Sequence, residues 1–322
     1  MWRAVCLWIG IVVGSDAQAV AGTEGVFAAL ERARQAAQQL DYRGEFILQR
    51  GLEVSHTRIV HVGSGTPEQE RLESLDGEPR ESLRRGAETL IYLRRQRRLL
   101  IERHSSEARF PALPPLSRPE FERQYLTRRF ASDPVAGRET LAVALDTRDV
   151  FHYSHRFWFD RTTGLLLRAQ TVSENGEVIE QVGFRQVLVG SVPRALLKPA
   201  AGSTRSWHID HTEVRPIDLS SWRLRWVPAG FIRVATSSRR LMDANGASRD
   251  VGQILYSNGL SSLSVFVEPW SAERSLLPLR LGALNMVGKR HGKFWLTIVG
   301  DVPMVAIRQV ADAIEIAQTF PR

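Results

Sequence analysis

The sequence predicts an α+β protein in two units: a larger one built on an antiparallel meander behind a single helix, and a smaller one of strands closed by a second helix. Three observations carry this. A helical apolar period near the N-terminus gives way to short alternating segments. A stretch at 192–205 with Pro193, Pro199, Gly202 and Ser203 interrupts them. A shorter set of strand-like runs follows and ends in another helical pattern. The 322 residues exceed the roughly 250–300 at which single cores stop growing. Hydrophobic residues at 43% and charged residues at 24% match globular chains, which excludes a disordered or collagen-like one.

The chain begins with Arg3, an apolar run from Ala4 to Val13 and the small-residue site Ala17-Gln18-Ala19, the pattern of a secretory signal peptide. Cleavage is expected after Ala19, or alternatively after Ala21. The run is short of the roughly 20 apolar residues that cross a bilayer. The single cysteine, Cys6, lies in the leader, so the exported chain is expected to hold no disulfide and to rely on core burial. Export places the mature chain outside the cytoplasm. Lys+Arg of 43 against Asp+Glu of 35 gives +8, with Lys198, Lys289 and Lys293 the three lysines, so the positive charge is almost all arginine, suited to phosphates and carboxylates.

From Thr23 to Leu40, Val26, Phe27, Leu30, Ala33, Ala37 and Leu40 recur near helical spacing, with Thr23 as a cap. Strands are expected at 42–50, 57–62, 69–75, 80–85, 89–93 and 98–102, punctuated by Gly51, Gly63-Ser64-Gly65 and Asp76-Gly77. Four prolines in FPALPPLSRP, 110–119, bar a central strand and predict a surface excursion. Strand-like runs resume at 135–145, 153–160, 165–172 and 178–184, with hairpin turns at Asp160–Gly164 and Glu174-Asn175-Gly176. The boundary is placed in the 192–205 break. The first domain is then 22–197, the linker 198–205 and the second domain 206–322. In the latter, strands are expected at 223–227, 231–236, 253–257, 263–268 and 294–299, then a helix from Pro303 carrying Val305, Ala306, Val310, Ala313, Ile314 and Ala317 on one side.

The search for chemistry is sparse. No G-x-S-x-G turn is present to expose a nucleophilic serine. GALNMVGKR, 282–290, has five residues between its glycines and Arg290 where a phosphate loop needs Ser or Thr, so nucleotide binding is not expected. The pairs His152/His155 and His208/His211 with Asp210 would point to opposite faces of a strand, and without cysteine they lack further ligands. No metal, cofactor or enzymatic activity is expected. Eight arginines between Arg80 and Arg103, with RRQRR in a loop, are either a solvated hairpin tip or a site for acidic groups. Nucleic acid is an unsuitable partner for an exported chain.

Several motifs in order carry a resemblance: Asp41-Tyr42-Arg43-Gly44 with Phe46, RIVH (58–61), LESLDGEPRE (72–81), FPALP (110–114) and VAGR (135–138). They continue with FWFDRTTGLLLR (157–168), EQVGF (180–184), VPAGF (227–231), YSNGLSSLSVFVEP (256–269), GALN (282–285) and VGDVP (299–303). Together these resemble the sigma-E factor regulatory protein family, RseB/MucB. Asn258 and Asp301 stand where Asp and Glu are expected, and the 94–98 loop is richer in arginine.

The resemblance implies an N-terminal half-open antiparallel β-barrel with helices, like the carriers LolA and LolB, over an apolar cavity, and a smaller C-terminal α+β domain. It implies binding to the periplasmic part of a membrane-anchored, RseA/MucA-like anti-sigma factor, which is shielded from site-one proteolysis. Lipopolysaccharide or lipoprotein acyl chains would release it, and a homo-oligomer is left open. A periplasmic lipoprotein or lipid carrier is the alternative, set apart by the extra domain. Within that frame, alternation selects Tyr42, Phe46, Leu48, Ile59, Leu90, Tyr92, Phe157, Phe159, Leu165 and Leu167 for the lipid face. Arg94, Arg95, Arg97, Arg98, Tyr256, Gly259, Phe266 and Glu268 are the candidates for the partner. Val265, Phe266 and Val267 make a run apolar on both faces, which must be covered twice or offered to another chain.

Overall fold

The computed structural model describes residues 16–64, 67–103, 110, 111, 113, 117–212, 222–242, 248–272 and 277–316. Most of the expected leader therefore lies outside the described residues, and its cleavage positions fall in the first turns of helix α1, Asp16–Gln39. Val26, Ala29, Leu30, Ala33, Ala36 and Ala37 are buried along one stripe of that helix, the i, i+3, i+4, i+7 pattern of a core-facing face.

Strands β1 (Asp41–Arg50), β2 (Glu53–Val62), β3 (Gln69–Ser74), β4 (Arg80–Arg85), β5 (Glu88–Leu93) and β6 (Arg98–Arg103) form the expected meander. A second meander, β7 (Tyr125–Phe130), β8 (Thr140–Thr147), β9 (Ser154–Asp160), β10 (Leu166–Val172) and β11 (Val178–Val189), joins it through the antiparallel pair β1·β11. The result is one open sheet in the order β12-β6-β5-β4-β3-β2-β1-β11-β10-β9-β8-β7. Its edge strand β12, His208–Thr212, runs parallel to β6.

That edge strand sits in the first sheet although the sequence placed 206 onward in the second unit. Arg98 holds it there, donating from Nε (3.0 Å) and Nη2 (2.7 Å) to Asp210 Oδ2. Before it, a strap containing the 3-10 turn Arg194–Leu197 lies against β2 and β3. The strap is clamped by a buried ion pair, Arg71 with Glu81 at 3.2 Å. Arg71 Nη1 donates to the Leu196 carbonyl (3.2 Å), and the Ala200 N–H donates to Glu81 Oε2 (2.9 Å). A parallel pairing over a hundred residues of separation leaves no local signature.

No strand forms at the described residues of the proline-rich excursion. Pro119 lies at the start of a short helix α2, Arg118–Gln124, where a missing N–H costs nothing. Phe110, at its other end, is partly buried and packs against both apolar clusters of the first domain.

The second domain has a six-stranded sheet, β14-β15-β16-β19-β18-β17. Its strands are β14 (Ile232–Met242), β15 (Ser248–Ser257), β16 (Ser262–Pro269), β17 (Leu279–Leu281), β18 (Leu284–His291) and β19 (Phe294–Gly300). Strand β18 occupies the segment tested as a phosphate loop. Helix α3, Met304–Asp312, packs on β18 and β19 and is shorter than expected, because Ile314–Ile316 becomes strand β20 and pairs with β13, Trp222–Leu224. Its buried face is Ala306, Ile307, Val310 and Ala311, whereas Val305, expected on that side, is exposed.

Candidate functional site

The interior of the first sheet gathers most of the predicted apolar set and fills it with the protein's own side chains. Tyr42, Phe46, Ile59, Leu165 and Leu167 are buried with Ala36, Ala37, Trp158, Phe184 and Val187. Phe157 and Phe159 belong to the adjoining cluster under the middle of α1, with Val26, Leu30 and Ala33. Phe46, Phe110 and Phe184 stack edge-on and tilted, Phe110 lying 5.1 Å from each of the others. Leu48 is half-buried.

Leu90 and Tyr92 do not join this set. Register pairs Ile59 with Leu72, Leu72 with Ser82 and Ser82 with Ile91, so Ile91 shares the face of Ile59 while Leu90 and Tyr92 point the other way. They pack with Leu83, Leu99 and Trp207 beneath the strap. In Leu90-Ile91-Tyr92 both parities are apolar, so alternation alone could not choose between them.

An open groove of about 640 Å³ lies beside the strap, within the range of small-molecule sites. Ile59, Val60, Val187, Leu188 and Leu196 supply apolar wall, and Arg43, Arg58, Arg71 and Glu45 supply charge. Arg58 is engaged by Glu45 and Glu73, each at 3.0 Å. Arg43 is exposed. Of the predicted lipid set, Ile59 alone borders this groove, and it does so fully buried behind the wall.

Charge elsewhere on the sheet is mostly committed to structure. His61 is buried and joins the end of α1 to β3, its Nδ1 2.8 Å from the Leu40 carbonyl and its Nε2 2.9 Å from Glu68 Oε1. The His61 hydrogen bond, opposed by burial and assisted by Arg84, holds the Glu68 carboxyl down at about 2. In the predicted arginine loop, Arg97 adopts φ +47° and its N–H donates to the Arg94 carbonyl. Arg94 reaches Glu81 at 3.6 Å, and Arg95 and Arg97 are exposed. Arg98, expected to meet a partner, is taken by Asp210.

Of the candidates in the second domain, Phe266 alone combines an apolar side chain with partial exposure. Val265 and Val267 are buried in the core under α3, and Phe266 lies on the opposite sheet face, half-buried. Tyr256 and Glu268 are buried. Gly259, at φ +89°, makes a tight turn, which Asn258 Oδ1 closes by accepting from the Leu260 and Ser261 N–H groups. That turn meets the first domain: Leu260 packs on the cluster beneath α1, and Asn258 Nδ2 donates to Gln124 Oε1.

The joint between the domains is the feature the sequence did not disclose. Gln124 Nε2 (2.6 Å) and His152 Nε2 (3.0 Å) both lie on the Ala229 carbonyl. Asn285, fully buried, donates from Nδ2 to the Tyr153 hydroxyl and to the Val302 carbonyl, both at 2.8 Å. Phe151 packs edge-on to Trp226 at 4.9 Å. Gly230, at φ +78°, leaves the space that Gln124 occupies. The histidine weighed as a metal ligand is thus a joint residue, and burial with the neighbouring His152 holds His155 down at about 4. No group of three or more His, Cys, Asp or Glu converges on a metal site among the described residues.

The fold and its surfaces define a two-domain, sheet-built protein of the α+β class, with an open antiparallel sheet wrapped on one helix and a separate sheet backed by another. Residues 26–213 match the MucB/RseB N-terminal domain and residues 216–315 the MucB/RseB C-terminal domain, and the chain belongs to that family. It is 28% identical over 289 residues to the sigma factor AlgU regulatory protein MucB of Pseudomonas aeruginosa, covering 88% of each chain. It is 25% identical over 324 residues to the sigma-E factor regulatory protein RseB of Escherichia coli K12, covering 98% of each. Among solved structures it resembles MucB in complex with MucA(peri), at TM-score 0.70 and 25% identity, over 91% of this chain and 99% of that one.

Proposed function

We propose that this chain is a periplasmic regulator of an envelope stress response, which binds the periplasmic part of a membrane anti-sigma factor, protects it from site-one proteolysis and is released by a lipidic signal. The observation that carries the reading is likeness across both domains to a MucB structure complexed with MucA(peri). Phe266 and the exposed Arg94, Arg95 and Arg97 are offered as contacts on this side. The groove beside the strap, apolar with guanidinium groups, suits an acyl chain with an acidic head. The test mixes the purified mature chain with the cognate anti-sigma periplasmic fragment, then adds lipopolysaccharide. A complex that lipopolysaccharide dissociates supports the reading. A complex untouched by lipopolysaccharide or lipoprotein removes the lipid signal, and no complex at all removes the regulator.

A further inference from the structure

We propose that the outer edge of β14 is a strand-addition site for an extended, carboxylate-bearing segment of the anti-sigma factor, an inference that rests on the function proposed above. Strand β14 is the terminal strand of its sheet and is eleven residues long. Among the described residues it pairs with β15 and with no other strand. An edge of this length presents a row of unpaired N–H and C=O groups, and folded proteins usually shorten, cover or interrupt such edges.

This edge is uncovered where it begins. Ile232, Arg233, Val234 and Ala235 are consecutive exposed residues, with Ile232 at 65% and Val234 at 49%. Val234 is the extra residue of a bulge, since Arg233 pairs with Tyr256 and Ala235 with Leu255, so Ile232 and Val234 offer two exposed β-branched side chains at the mouth of the edge and regular pairing positions begin at Ala235. The template is also rigidly placed. Phe231, immediately before it, is buried, with its ring 5.8 Å from that of His152 across the domain joint. A preorganised edge spares the binding partner part of the ordering cost.

Charge selects the occupant. The strand's sequence, IRVATSSRRLM, has three arginines and no acidic residue. Pairing with the same strand of a second copy would gather six arginines on one seam with no acidic residue, whereas a carboxylate-bearing chain supplies the opposite charge. Arg233 is exposed, and its Nε donates to Thr236 Oγ1 (2.8 Å) rather than to a carboxylate. The same arginines therefore reject self-association and admit an acidic segment.

The test is amide hydrogen exchange across 232–238 in the full mature chain, alone and saturated with the cognate anti-sigma periplasmic fragment. From Ala235 onward, past the bulge, every second N–H already points to β15, so strand addition slows the alternate set there, by about tenfold or more, with little change in the others. Arg233→Glu is expected to weaken the complex by up to about fivefold and to flatten its salt dependence. A complex that forms with unchanged exchange over 232–238 overturns strand addition while leaving the regulator intact. Unchanged affinity and salt dependence in Arg233→Glu overturn the acidic occupant, and concentration-dependent protection of the free chain would give the edge to a second copy. Failure to form any complex overturns this inference together with the function it rests on.

Discussion

The two sheets treat their apolar surface differently. The first is wrapped around α1, whose stripe from Val26 to Ala37 fills the concavity with the help of Phe46, Phe110 and Phe184. The second buries one face under α3 and leaves the face of Phe266 partly open, with β14 unpaired along its outer edge among the described residues. A face that is filled contributes stability, and one left partly open is available to something outside the chain. The joint at Gln124, His152 and Asn285 makes the open surface a fixed extension of the filled one.

That contrast can be broken by mutation. The largest effect is expected at the strap: Arg71→Ala leaves the buried Glu81 carboxylate with the Ala200 N–H and the longer Arg94 contact alone, and should cost about 3–5 kcal/mol by denaturant unfolding. Leu30→Ala empties the helix stripe and should cost about 2–5 kcal/mol. Unchanged stability in Leu30→Ala would mean that α1 is not what fills the first sheet. Asn285→Ala leaves the Tyr153 hydroxyl and the Val302 carbonyl without their donor, for about 1–3 kcal/mol, and calorimetry should then resolve two domain transitions in place of one. Phe266→Ser should cost about 1 kcal/mol or less while weakening the anti-sigma complex. A large loss of stability there would make that face core.

Acid should act on the filled domain. His155 has a folded pKa of about 4, below its ordinary 6.5, so the unfolded state binds more protons between these values and stability falls as pH drops from 6.5 towards 4. Glu68, at about 2 against 4.5, contributes stability that is present above 4.5 and is lost as pH falls towards 2. His155→Gln should flatten the first part of this profile and His61→Gln the second. Identical unfolding midpoints at pH 7 and pH 4.5 in the parent chain would remove the His155 contribution.

The strands that sequence reading found are those bounded by Gly and Asn turns, such as the hairpins at Gly51, Gly164 and Gly176, because local φ preference and alternation act over neighbouring residues. Phe266 was legible for a similar reason, as one residue in a run apolar on both faces. Misreadings arose where two local signals agreed with more than one structure. Four prolines concealed α2, and the glycines of GALNMVGKR concealed β18. Leu90 and Tyr92 fell on the wrong face because Ile91 was equally apolar.

The amino-acid sequence by itself determined the class, the two-unit order, the α1 stripe and the family, since each rests on period or motif along the chain. Tertiary structure alone decided the rest. Arg98 became a structural ion pair because Asp210, 112 residues away, returns beside it. His152 became a joint residue because the Ala229 carbonyl lies opposite its ring. The same holds for β14, whose open edge depends on strand order. These contacts join segments with no fixed spacing, and their energy appears only when burial brings the partners together.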